Sequence, residues 1–112
     1  MDKPLWRRSA SELATAIAER TTTSRAVVEA HLERIAAVNP RVNALPTVLA
    51  DSALAAADRA DAAVAAGERL GPLHGVPITV KANIDLTGSP TTQGYRRCST
   101  QYRISITRWW NG

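Results

Sequence analysis

A lysine at the end of an apolar run is the residue of this sequence best placed to do chemistry. Residues 71–85 read Gly71-Pro72-Leu73-His74-Gly75-Val76-Pro77-Ile78-Thr79-Val80-Lys81-Ala82-Asn83-Ile84-Asp85. Glycine and proline mark the first part as a loop, and Ile78 to Ala82 then reads as a strand. Ile78 and Val80 would face one way, and Thr79 and Lys81 the other. Burying an ammonium is expensive unless it is paired or neutralised, so Lys81 calls for a reason. It is either a solvated lysine at the end of an edge strand or a group whose environment makes it a proton acceptor.

The other reactive side chains offer less. His74 has no acid or nucleophile spaced to it and reads as a loop-stabilising histidine. His31 reads as a half-buried histidine on a helix. Asn83 and Asp85 fit turn or capping roles better than a pocket wall. Ser89 precedes a proline, and Ser99 and Ser105 have no glycine nearby. A nucleophile needs a positioned base and donors for the developing oxyanion, so none of these serines is assigned as catalytic. Neither metal-ligand spacing nor a phosphate loop is present in the sequence.

Helices must position the lysine segment. Ser9-Ala10-Ser11-Glu12 is a capping box, with Ser9 at the N-cap and Glu12 at N3. Leu13, Ala14, Ile17 and Ala18 follow on one helical face, and the helix is expected to end near Arg20, before Thr21-Thr22-Thr23. A second helix is expected from an N-cap at Ser24, with Val28, Leu32 and Ile35 as its stripe, ending at Asn39-Pro40. Ala44 to Leu49 suggests a short strand, irregular or at an edge because of Pro46. Asp51 is expected to cap a third helix from about residue 52 to 66. Leu54, Ala57, Ala60 and Val64 form its inner face, and Gly67 sits at C′.

Size and charge narrow the function classes. The chain has 112 residues, is 45% hydrophobic and contains no Phe. Much of the apolar content is alanine, which buries little area, so the core is thin for the length. The net charge of +4 lies in the tail: ten Lys/Arg balance ten Asp/Glu over residues 1–94, whereas residues 95–112 carry Arg96, Arg97, Arg103 and Arg108 and no acid. That tail also holds Cys98, Trp109 and Trp110 but no alanine. It reads as a separate basic, aromatic segment, disordered or out of frame. A basic tail could serve nucleic acid, with Trp109-Trp110 stacking on bases, but the balanced body argues for no nucleic-acid partner. One cysteine forms no internal disulfide, and no run approaches the roughly 20 apolar residues of a membrane span. No secretory leader is evident at the N-terminus. A cytoplasmic protein without a membrane partner is the expectation.

Residues 71–85, continued by Leu86-Thr87-Gly88-Ser89-Pro90-Thr91-Thr92-Gln93-Gly94, closely resemble the lysine region of the amidase signature family. A weaker likeness runs through Ser9 to Leu13, Ser24, His31-Leu32-Glu33-Arg34-Ile35 and Asn39-Pro40-Arg41-Val42-Asn43-Ala44. The resemblance implies an α/β fold. Residues 1–94 would supply the N-terminal helices and first strands of a large mixed sheet, incomplete here, followed by the irregular tail of residues 95–112. It also implies the hydrolysis or transfer of carboxylic amides by a Ser–cis-Ser–Lys triad, with Lys81 as the triad lysine. In that role a lysine accepts a proton from the bridging serine, which in turn deprotonates the nucleophile. The lysine must then be neutral near pH 7, which takes burial or a cationic neighbour.

The chain departs from the family after Lys81, where nothing resembles the Gly/Ser-rich signature that supplies both serines. The expectation is therefore an amidase piece that stops before its serines and is inactive alone. Its substrate class would be small-molecule amides, and no cofactor is implied. Two other readings stand beside it: a non-catalytic helical module that docks on a protein partner or a second copy, and the N-terminal piece of an amidotransferase A-type subunit.

Overall fold

The structure, a computed structural model, describes residues 3–81. Within that range the chain forms a 3-10 turn at Leu5–Arg7 and three α-helices: α1 (Ala10–Ala18), α2 (Ser24–Val42) and α3 (Ala50–Ala65). The chain divides into one compact unit, Met1–Pro77, and a second beginning at Ile78. The helices and the loop after them belong to the first unit.

α1 begins as its sequence dictates. Ser9 Oγ accepts from the Glu12 N–H at 3.2 Å, and the Ser9 N–H donates to Glu12 Oε2 at 2.7 Å. Both bonds of the capping box are therefore made. Backbone bonds from Arg20 to Ile17 O (3.1 Å) and from Thr21 to Ala16 O (3.0 Å) close the other end. This is a Schellman turn, with Arg20 in the left-handed region at φ 61°. α3 ends the same way through Gly67, at φ 72°.

Helices α2 and α3 correct three sequence expectations. The N-cap of α2 is Thr23, whose side chain accepts from the Ala26 N–H; Ser24 is the first helical residue and is buried. Asn39-Pro40 does not stop the helix, which continues to Val42 with Pro40 inside its last turn. Proline forfeits the bond to the carbonyl of residue 36, and Ala36 is exposed, so water can serve that carbonyl. Asn39 instead clasps the loop that follows: its Nδ2 donates to Leu45 O (2.8 Å) and its Oδ1 accepts from the Leu45 N–H (3.0 Å). α3 starts earlier than expected, with Leu49 at the N-cap and Asp51 in the first turn without a side-chain cap bond.

Residues 44–49 and 78–81 form no strand. A strand exists only by pairing its backbone donors and acceptors with a neighbour, and the described residues offer neither segment a partner. The first strands of the expected α/β fold are therefore not seen among the described residues, which are helical.

The core sits where the three helices converge. Leu13, Ile17 and Val27 form its centre, with Leu5, Val64 and Val76 packed against them. Ala16, Val28 and Ala57 complete the buried apolar set among the described residues. Arg34 of α2 places its guanidinium carbon 4.3 Å from the centroid of the Trp6 ring, and Arg7 lies at 5.7 Å. Both are cation–π distances, and the Arg34 contact holds the N-terminal turn against α2.

Candidate functional site

The loop before the lysine segment is attached to all three helices. Two turns shape it: the His74 N–H donates to Gly71 O and the Val76 N–H to Leu73 O, both at 3.2 Å. His74 Nε2 lies 2.9 Å from Ala60 O. A carbonyl only accepts, so the proton sits on Nε2, and the half-buried ring pins the loop to α3. This is the loop-stabilising role expected of His74. Gly75 O accepts from Ser24 Oγ at 2.6 Å, which pins the loop to α2. Val76 then turns its side chain into the core beside Leu13, Ile17 and Val27.

Gly75 is a glycine for two reasons. Its φ is +78°, a region L side chains rarely adopt, and a Cβ would sit 3.0 Å from Ser24 Cβ and 3.3 Å from Ile17 Cδ1. The loop approaches α1 and α2 so closely that only a hydrogen fits.

The start of α2, where Ser24 lies, is completed from a distance. The carboxylate of Asp61 on α3 accepts from the Ser24 N–H at 2.7 Å and from the Arg25 N–H at 3.0 Å. With Thr23 serving Ala26, the donors at the first three helical positions are satisfied. A carboxylate is also favoured at this end by the helix dipole. Alongside, the Arg25 guanidinium meets Glu29 (2.7 Å) and Asp58 (2.8 Å), and these two carboxylates raise its pKa above the ordinary arginine value, hydrogen bonding to Glu29 first. Both pairs are exposed and lend little stability.

Of the residues singled out from sequence, Lys81 is exposed and lies in no helix or strand. It belongs to the second unit, which begins at Ile78. His31 is half-buried on α2, with Nδ1 2.7 Å from its own Val27 O. His31 and His74 are thus both engaged with backbone. Asn83, Asp85, Ser89, Cys98, Ser99, Ser105, Trp109 and Trp110 lie outside the described residues, as does the boundary expected at residue 94. Among the described residues no group of three or more His, Cys, Asp or Glu is arranged to hold a metal, and no helix is long and apolar enough to cross a membrane.

The sequence reading missed Asp61 altogether and took Ser24 for a cap. A signal for Asp61 was present. Leu54, Ala57, Asp61 and Val64 share one helical face, and a carboxylate in that stripe needs a buried donor.

A family profile described as Amidase matches residues 26–103. Among curated proteins, the A subunit of the glutamyl-tRNA(Gln) amidotransferase of Acidothermus cellulolyticus is 54% identical over 90 residues, covering 80% of this chain and 18% of that protein. The indoleacetamide hydrolase of Bradyrhizobium diazoefficiens is 48% identical over 91 residues, covering 81% of this chain and 17% of its own length. The acylamidase of Rhodococcus erythropolis is 38% identical over 88 residues. A solved structure, described as an unexpected vestigial protein complex that reveals the evolutionary origins of an s-triazine catabolic enzyme, superimposes with a TM-score of 0.82. It is 33% identical, and the match covers 87% of this chain and 21% of that one. The chain thus spans less than a fifth of the length of these curated relatives.

Proposed function

Because the chain belongs to the amidase family, we propose that it forms the helical N-terminal shoulder and lysine-bearing segment of an enzyme that cleaves carboxylic amide C–N bonds. Lys81 is its proton acceptor. In the assembled enzyme, the nucleophilic serine passes its proton through a bridging serine to Lys81 Nζ. The serine oxygen attacks the amide carbon, and the proton returns to the departing nitrogen as the C–N bond breaks. Water then releases the acyl group. The 112 residues provide the acceptor without a serine in a glycine-rich oxyanion turn, so they turn over no amide unaided. Folded against the rest of such an enzyme, the segment would gain the burial that a lysine base requires. A cytoplasmic setting and a protein partner, or a remainder encoded with it, belong to the same proposal.

The observation that carries this reading is the match of residues 26–103 to the family profile, which includes the lysine segment. Transplantation tests it. Residues 1–94 of this chain replace the corresponding segment of the Bradyrhizobium indoleacetamide hydrolase, and turnover of indoleacetamide is measured. The chimera is expected to be active and to lose at least about a thousandfold in kcat on Lys81→Ala, as loss of a residue acting as part of a catalytic unit does. Retained turnover in the Lys81→Ala chimera overturns the assignment.

A second reading, the amidotransferase A-type subunit, is favoured by the 54% identity with the Acidothermus protein. The same transplant into that protein, assayed for amidation of glutamyl-tRNA(Gln), separates the two. Activity in only one chimera identifies the class.

A further inference from the structure

Three segments far apart in sequence meet at Ser24, which is 1% exposed. Its N–H donates to Asp61 Oδ1 at 2.7 Å and its hydroxyl to Gly75 O at 2.6 Å. The other carboxylate oxygen of Asp61 takes the Arg25 N–H at 3.0 Å. Asp61 therefore grips the first turn of α2 with both oxygens. That grip holds the Ser24 backbone, from which the hydroxyl reaches Gly75 O. On the far side, Gly75 has one seat: a Cβ there would lie 3.0 Å from Ser24 Cβ and 3.1 Å from Ser24 Oγ.

We infer that Asp61 and Ser24 are positioning residues for the lysine segment, Asp61 holding the Ser24 backbone and the Ser24 hydroxyl holding Gly75 so that the chain leaves the helices at Pro77 from a fixed point. The inference rests on the reading of Lys81 as proton acceptor. Neither residue touches a reacting atom. A proton acceptor must lie within hydrogen-bond reach of its donor, and a displacement of about 1 Å is enough to cost on the order of a hundredfold in rate. A hydroxyl-to-carbonyl bond shielded from water is electrostatically stronger than one in solvent. Here it adds nothing to α2 itself, whose first-turn donors are served by Asp61 and Thr23. The Ser24 hydroxyl is thus spent on the loop rather than on the helix.

The test is amide exchange on the full 112-residue chain, comparing wild type with Ser24→Ala. The hydrogen-bonded amides of His74 and Val76 are expected to exchange about fivefold to tenfold faster in the variant, the loss of one hydrogen bond. Those in the middle of α2, Glu29 to Glu33, should stay within about twofold. Asp61→Asn keeps the shape and one acceptor and is expected to give the same pattern, weaker. Equal acceleration in loop and helix reduces Ser24 to a general stabiliser and overturns the inference. So do unchanged loop amides, and so does a wild-type loop that already exchanges as free chain. In the hydrolase chimera, Ser24→Ala is expected to lower kcat about tenfold with KM within about twofold, the signature of a displaced catalytic group rather than weakened substrate binding. If Lys81→Ala leaves the chimera active, the catalytic reading fails while the exchange result still judges the clamp. If the loop amides do not respond, the clamp fails whatever Lys81 does.

Discussion

Gly75 and Gly67 share a positive φ but differ in surroundings. At Gly67 nothing lies within 4 Å of where a Cβ would stand, whereas at Gly75 the side chains of Ser24 and Ile17 leave no room. Gly67→Ala should therefore cost about 1 kcal/mol from backbone conformation alone, and Gly75→Ala at least about 2 kcal/mol, since strain and overlap add. Urea unfolding of the two variants reads the difference directly. Arg20 presents the converse case, a side chain in the left-handed seat of a Schellman turn. Arg20→Gly is expected to stabilise by up to about 1 kcal/mol in the same titration. Glu12 carries the pH dependence. The hydrogen bond from the Ser9 backbone, then that from its hydroxyl, hold its pKa below the ordinary glutamate value. A lowered folded-state pKa means that the carboxylate's contribution is present above the usual glutamate range and vanishes as pH falls through the lowered value. Helicity of wild type should thus exceed that of Glu12→Gln at neutral pH, and the two should converge as the pH falls through that lowered value, followed by circular dichroism.

At the scale of elements, what was legible in the sequence was local. The capping box of Ser9 and Glu12 and the C′ role of Gly67 depend on residues three or four apart, so spacing alone reveals them. The existence of three helices followed from apolar periodicity. What the sequence hid was long-range. Thr23 rather than Ser24 caps α2, because the Ser24 hydroxyl is drawn to Gly75 across 51 positions. Asn39 reads as part of a stop signal, yet its amide bridges to Leu45 and shapes the loop instead. The strands expected at residues 44–49 and 78–82 depend on partners that no local pattern supplies; the described part of each is unpaired. Asp61 connects α3 to the first turn of α2 by two charge-assisted bonds. Asp61→Ala should cost about 1–3 kcal/mol, because it strands two backbone donors, one of them buried. Thermal melts followed by helical signal check this, and the nearby exposed Asp58→Ala, which breaks only the Arg25 pair, should change stability by less than about 1 kcal/mol.

For the whole molecule, the limiting quantity is the core. Among the described residues its buried apolar members are Leu13, Ala16, Ile17, Val27, Val28 and Ala57, two of them alanines, while Val42, Val48, Leu49 and Leu73 remain 41–59% exposed. The isolated chain should therefore unfold over a broad range with an enthalpy well below the roughly 60–80 kcal/mol of a packed domain of about 100 residues. Calorimetry measures this; a sharp, high-enthalpy transition in the monomer would contradict it. The family was legible from the lysine segment because that motif is contiguous. The clamp on the loop before it was not, because it is assembled from residues 24, 61 and 75 only once the chain has folded. That assembly has a temporal side. A ribosome delivers chains from the amino end, so residues 24–42 leave it before Asp61 does, and the amino end of α2 meets water until α3 follows. Nascent chains arrested with α2 outside the ribosome and Asp61 still within it should consequently show a frayed second helix, with its maturation timed by the arrival of the third.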